Sequence, residues 1–193
     1  MELEGSKTEK NLLKAFAGES QARNRYTYFS SVAKKEGFKQ IEAIFIETAD
    51  NEKEHAKVFF KHLNEIKGKP VEITASYPAG CISTTGDNLL ASAQGEHEEW
   101  SELYPEFARV AREEGFIEVA ISFEQIAKVE KEHERRYNKL LDNIKEGKVF
   151  EKEGVVRWKC RNCGYVVGSS SAPHVCPACS HPQAHFELFC EAY

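Results

Sequence analysis

The chain has 193 residues, 41% of them apolar and 30% charged, with 26 basic against 31 acidic side chains and a net charge of −5. That is enough apolar material for one or two cores, too mixed in sign for a disordered polyelectrolyte, and the wrong sign for a dedicated nucleic-acid binder. No apolar run approaches the ~18 residues of a membrane span, the opening Met1-Glu2-Leu3-Glu4 lacks the basic and apolar regions of a secretion signal, and four of the six cysteines crowd one short segment. A protein of the reducing cytoplasm, with no membrane or nucleic-acid partner, is expected.

A first helix is expected to open at the capping box Ser6-Lys7-Thr8-Glu9 and run to about Glu36, with Gly37 as the residue after it. A second runs from about Phe38 to Lys67. Residues 68–86 hold Pro70, Pro78, Gly80 and Gly86 and read as a long connection. A third helix is expected from an N-cap at Asp87 to Glu114, stopped by Gly115, and a fourth from Phe116 to Glu146. Short links within each pair and a long link between them predict an all-α four-helix bundle, ferritin-like with one long crossover, over residues 1–146. From Gly147 on, glycines, prolines and β-formers such as Val155, Trp158 and Val166 take over. Residues 147–193 are expected to be a small β and loop domain.

The helices repeat. Val32-Ala33-Lys34-Lys35-Glu36-Gly37-Phe38 returns as Val110-Ala111-Arg112-Glu113-Glu114-Gly115-Phe116, an offset of 78, and the same offset carries Glu52-Lys53-Glu54-His55 onto Glu130-Lys131-Glu132-His133. Gly18-Glu19, however, maps onto Gly95-Glu96 at 77. One extra residue therefore lies between Glu96 and Phe107, beside Pro105, and predicts a π-bulge or kink there.

Acids interrupt every apolar stripe. Glu19, Glu52, Glu96 and Glu130 fall at 3,4-spacing among Phe16, Tyr26, Phe45, Phe59, Ala93, Leu103, Phe123 and Tyr137. They lie 18, 15, 19 and 15 residues from Gly37 or Gly115, so antiparallel packing brings all four to nearly one level. Lone buried carboxylates are costly, and cations are the economical compensation. Each Glu-x-x-His sets two ligands on one helical face. Glu19, Glu52, His55, Glu96, Glu130 and His133 thus form the ligand set of a carboxylate-bridged di-iron or di-manganese site, and Glu99 adds a fifth carboxylate. Tyr26 and Tyr104 stand either as ordinary core residues or as hydrogen bonders into the site. His97 and Glu98 are expected on the outer face.

Cys160-x-x-Cys163 and Cys176-x-x-Cys179, separated by 12 residues, suit a tetrahedral four-thiolate metal site. A module this short and poor in apolar residues needs such a metal to fold. Zinc would make it a structural ribbon and iron a one-electron carrier. Cys81 and Cys190 have no partners at ligand spacing.

With both motif groups in hand, the sequence resembles the rubrerythrin family over essentially its whole length. The match is carried by Glu19, Glu52-x-x-His55, Glu96-x-x-Glu99, Glu130-x-x-His133, Cys160-x-x-Cys163-Gly-Tyr and Cys176-Pro-x-Cys179. The resemblance implies a non-haem di-iron peroxidase that reduces hydrogen peroxide to water in oxidative-stress defence. It implies a rubredoxin-like domain with an Fe(SCys)4 centre that delivers electrons, a homodimer or higher homo-oligomer, and an external donor such as a rubredoxin or an NAD(P)H-dependent reductase. Glu52 and Glu130 would bridge the irons, Glu19 and Glu96 would be terminal ligands, and His133 would bind the second iron. His55 and Glu99 would compete for the first. Glu99, when unligated, would carry protons, with Tyr26 and Tyr104 positioning ligands. A ferritin-type ferroxidase or iron-storage protein shares the bundle and is the alternative function, and a non-catalytic zinc-ribbon protein on a helical scaffold is a second, disfavoured by the acids in the core.

Overall fold

The computed structural model describes residues 2–191, so Met1 and residues 192 and 193, the ends of the two expected domains, lie outside the described residues. Helix α1 spans Lys7–Lys35 and α2 spans Lys39–His62. The Ser6 hydroxyl accepts the Glu9 N–H at 2.9 Å and caps α1. At its other end Gly37 takes φ +85°, and the Phe38 N–H closes back on the Ala33 carbonyl at 2.8 Å. Only glycine adopts that left-handed turn without strain. The repeat reproduces it: Gly115 has φ +82° and Phe116 donates to Ala111 at 2.8 Å.

Helix α3 spans Thr85–Glu98, a π-turn covers Glu99–Leu103, α4 spans Tyr104–Glu113, and α5 spans Ile117–Lys145. The extra residue of the repeat is this π-turn. Pro105 has no N–H to donate back to Ser101, so the regular ladder is already broken there. Two expected boundaries are corrected. α2 ends at His62 rather than Lys67, because the chain tightens into a 3-10 turn over Leu63–Ile66 and reverses at Lys67 and Gly68, both at positive φ. α3 begins two residues before Asp87: Thr84 is the cap, and Asp87 sits in the first turn accepting the Thr84 hydroxyl at 2.8 Å.

α1 packs on α2, and α3 and α4 pack on α5. The apolar core is split in two along the bundle axis. One cluster gathers Leu12, Phe59, Tyr104 and Phe123, the other Tyr26, Phe45, Leu89 and Tyr137. Burial of each such side chain contributes about 1.5–3 kcal/mol. Between the two clusters lies the layer of acids. No helix of the described residues is long and apolar enough to cross a membrane.

Strands β1 (Glu151–Cys160), β2 (Val166–Ser171) and β3 (Phe186–Leu188) form an antiparallel sheet in the order β2-β1-β3. Trp158 fills its small core, its indole N–H donating to the Ser169 carbonyl at 3.1 Å. The sheet module docks on the α1–α2 turn. Phe150 stacks on Phe38 with ring centroids 6.2 Å apart, and Ala184 lies against Gly37.

Candidate metal centres

Glu19 from α1, Glu52 from α2, Glu96 from α3 and Glu130 from α5 are all buried, none more than 1% exposed. Their ligand atoms form two overlapping groups, each within 4.8 Å: Glu19, Glu52, His55 and Glu130, and Glu52, Glu96, Glu130 and His133. Glu52 and Glu130 belong to both. The Nδ1 of His55 lies 2.9 Å from Glu52 and 2.8 Å from Glu130, and 3.9 Å from Glu19. The Nδ1 of His133 lies 3.2 Å from Glu52, 2.8 Å from Glu130 and 3.7 Å from Glu96.

These close approaches do not satisfy the cluster. Glu19 Oε2, Glu52 Oε1, Glu96 Oε2, both oxygens of Glu130 and the Nδ1 of His133 are buried without a hydrogen-bond partner. So many orphaned donors of electron pairs, converging from four helices, fit divalent cations and little else. Electrostatics agree. Burial and then the Glu52 charge push Glu96 up to about 8, and burial followed by Glu130 pushes Glu19 well above the carboxylate range. Burial would lower the histidines, but the neighbouring carboxylates outweigh it and hold His55 at about 10 and His133 at about 12. Burial likewise opposes ionisation of Glu52, and the two histidines overcome it, to about 2. Without cations the histidines do a metal's work of neutralisation.

Glu99 stands apart. It belongs to neither group of ligand atoms, and its carboxyl lines a cavity of about 300 Å³ between α1, the π-turn and the crossover. Burial, then Glu96, Glu130 and Glu52, raise it well above the carboxylate range. The two tyrosines reach into the acid layer crosswise. Tyr26 of α1 donates to Glu96 of α3 at 2.6 Å, and Tyr104 of α4 donates to Glu19 of α1. Burial raises both phenols well above 10, so both keep the proton they donate. His97 and Glu98 are exposed, and His97 lies 3.2 Å from Glu134.

Trp100 is not expected from the sequence, and Tyr137, expected only as an apolar-stripe residue, carries a polar group into the core. Trp100 on the π-turn donates to Glu134 of α5 at 2.5 Å and carries Lys131 over its ring at 4.7 Å. It ties the turn down beside His133. Tyr137 is buried against Tyr26, with its hydroxyl unpartnered. Its signal was the repeat itself: Tyr137 stands where the first half has Phe59.

In the sheet module the four cysteine sulfurs lie within 4.8 Å of one another. Cys160 and Cys179 are 3.8 Å apart and Cys163 and Cys176 3.7 Å apart. A tetrahedron with metal–sulfur bonds of about 2.3 Å has edges of ~3.8 Å. The backbone N–H of His181 leads the pull of Cys179 down to about 6, favouring the thiolate that binds metal. Cys81 and Cys190 are exposed and do not belong to this group.

The family described as Rubrerythrin matches residues 10–141, and Rubrerythrin, rubredoxin-like domain, matches residues 158–187. The chain is 62% identical to a rubrerythrin of Porphyromonas gingivalis over 96% of its own length and 91% of the relative's. It is 59% identical to a rubrerythrin of Nitratidesulfovibrio vulgaris, covering 96% of each. Among solved structures it resembles fully reduced, all-ferrous nigerythrin, with a TM-score of 0.64 and 29% identity over 97% of this chain and 91% of that one. The carboxylate–histidine layer is accordingly a candidate di-iron site and the four cysteines a rubredoxin-like site: the chain belongs to the rubrerythrin family.

Proposed function

We propose that the chain is a hydrogen-peroxide reductase, a non-haem peroxidase of oxidative-stress defence in the cytoplasm. Glu19, Glu52, Glu96, Glu130 and His133 would hold two irons, with His55 and Glu99 as alternative ligands for one of them. Cys160, Cys163, Cys176 and Cys179 hold a third iron. Bound there, iron would supply the two electrons that peroxide reduction consumes, one per ion of the pair, and iron at the four cysteines would be the source that restores them.

The observation that carries this reading is Glu99. Its carboxyl stands outside both ligand groups and on the wall of a cavity, while His55 occupies the corresponding corner of the cluster. Burial and then the neighbouring Glu96, Glu130 and Glu52 carboxylates raise the pKa of Glu99 well above the carboxylate range, which favours the protonated form. Splitting the O–O bond takes up two protons, and Glu99 gives one of them where peroxide enters. Tyr26 and Tyr104 fix the orientation of Glu96 and Glu19 by hydrogen bonds, leaving the other carboxylate oxygens free to ligate. The aromatic clusters on either side keep bulk water out.

Electron delivery needs a second subunit. The sheet module packs at the α1–α2 turn, and Glu52 lies 14 residues beyond Phe38, roughly 20 Å of helix. We assign the short path to the four-cysteine centre of another copy in a homo-oligomer, fed by a rubredoxin or an NAD(P)H-dependent reductase. A ferritin-type store has no use for such an attached carrier.

Metal analysis and optical spectra of anaerobically prepared protein test the reading. A red protein is expected, bleached by reductant and recoloured by hydrogen peroxide with matching peroxide loss. A colourless zinc protein from iron-replete cells, or a bleached one that peroxide leaves unchanged, overturns it.

A further inference from the structure

The cavity that exposes Glu99 is much larger than hydrogen peroxide requires. It measures about 300 Å³, whereas a water occupies ~30 Å³ of the liquid and hydrogen peroxide has only one oxygen more. Its wall combines an apolar part, Ala15 of α1, Tyr77 and Pro78 of the crossover, Leu103 of the π-turn and Phe107 of α4, with polar side chains that include Gln21, Arg25, Ser76 and Glu98. Hydrogen peroxide has no carbon surface, and the apolar part of this wall gains nothing from it. The same wall would stabilise a substituent with C–H surface.

The reactive end and the apolar wall face one small volume. A single carbon placed beside Gly18 would lie 3.6 Å from Tyr77 Cε1 and 3.8 Å from Glu99 Oε1. The absence of a side chain at position 18 therefore keeps the ring edge and the carboxyl in reach of a common guest. The wall is also fixed in place. The Tyr77 hydroxyl donates to the Lys14 carbonyl at 2.8 Å and pins the crossover to α1.

Resting on the hydrogen-peroxide reading above, we propose that the same site reduces organic hydroperoxides, with the alkyl or aryl group against Tyr77, Leu103 and Phe107 and the O–O group at Glu99. The step balances as it does for hydrogen peroxide. The O–O bond breaks, two electrons come from the external one-electron donor, two protons are taken up, and an alcohol and one water leave. Hydrogen peroxide uses the deep end of the cavity, and the organic group occupies the remainder.

The test compares kcat/KM of the iron-loaded protein, with reduced rubredoxin as donor, for hydrogen peroxide, tert-butyl hydroperoxide and cumene hydroperoxide. Two variants alter the wall from the exposed crossover. Ala75→Phe fills the cavity, and Tyr77→Ala removes an aromatic ring from its wall. Each is expected to lower the ratio of cumene hydroperoxide to hydrogen peroxide turnover by about 10-fold or more, within the range that apolar pocket contacts supply. Equilibrium dialysis of 2-phenyl-2-propanol, the alcohol product, against the iron-loaded protein gives a readout without turnover. Binding by the wild type and its loss in Ala75→Phe support the proposal. Turnover of hydrogen peroxide without either organic substrate overturns it and leaves the hydrogen-peroxide reading standing. So does an equal effect of both variants on all three substrates. Turnover of none of the three overturns both.

Discussion

The pair α1–α2 and the set α3–α5 are two copies of one design, and they differ where it matters. Tyr26 is surrounded by Tyr137, Phe45 and Phe29 with ring centroids at 5.5, 6.2 and 6.4 Å; Tyr104 is surrounded by Phe59, Phe123 and Phe107 at 5.6, 5.7 and 6.4 Å. Each tyrosine donates to the buried glutamate on the first helix of the other half. The symmetry breaks at the π-turn. Seven residues separate Glu19 from Tyr26, but eight separate Glu96 from Tyr104. On an unbroken helix the eighth would swing Tyr104 about 80° off the inward stripe. The π-turn absorbs it and sets Glu99 where the first half has the buried Ala22. The shared parts make a symmetric cradle for two ions. The inserted residue sets an extra acid, Glu99, on the wall of a cavity beside α1 and the crossover.

The shared carboxylates give the largest expected effect. Glu52→Ala and Glu130→Ala each remove an oxygen pair that both ligand groups use. Each should empty the dinuclear site in metal analysis and cut peroxide turnover by more than the 10–100-fold typical of outer-shell changes. Retention of two irons by either variant would break the symmetric picture.

Glu99→Ala makes the second half resemble the first at this position. Iron content should hold while the peroxide step in stopped flow slows by about 10²–10⁴-fold, the usual share of a general acid. An unchanged rate rejects Glu99 as the proton carrier. Tyr26→Phe and Tyr104→Phe should weaken iron binding about equally, by roughly 10–100-fold. A strongly unequal pair would show that the halves hold their ions differently.

The metal-free protein should show a pH signature. Glu96, at about 8, and His55, at about 10, both bind protons more tightly folded than unfolded. Their contribution to stability is thus greatest on the acid side. It falls as pH rises, between about 4.5 and 8 for Glu96 and between about 6.5 and 10 for His55. The Tm of chelator-treated protein should drop from about pH 6 to pH 9, and iron should flatten the curve. A rising Tm would contradict the charge pattern. The smallest effect is expected from Trp100→Phe. Loss of the indole–Glu134 bond should cost about 1–2 kcal/mol in denaturant unfolding of the iron-loaded protein. No change would mean that the π-turn needs no tether.

Much of this was legible in the residues because it is local. Helix faces follow from 3.6-residue periodicity, so Glu19, Glu52, Glu96 and Glu130 could be set on inward stripes before any packing was known. Gly37 and Gly115 announce their turns, and the mismatch between offsets of 77 and 78 locates the π-turn to within a few residues. Helix ends were less legible. Asp87 and Thr84 are both good caps, and only the fold chooses between them.

The sequence by itself determined the ligand chemistry, the helical stripes and the cysteine knuckles, since each depends on residue type and spacing along a single element. Only the tertiary structure decided that Glu99 faces a cavity while His55 enters the cluster, that Tyr26 and Tyr104 cross to opposite glutamates, and that Tyr77 of the crossover closes over Gly18. Those choices depend on distances between elements far apart in the chain. Spacing along one helix fixes a direction, and only packing against the others fixes what lies there.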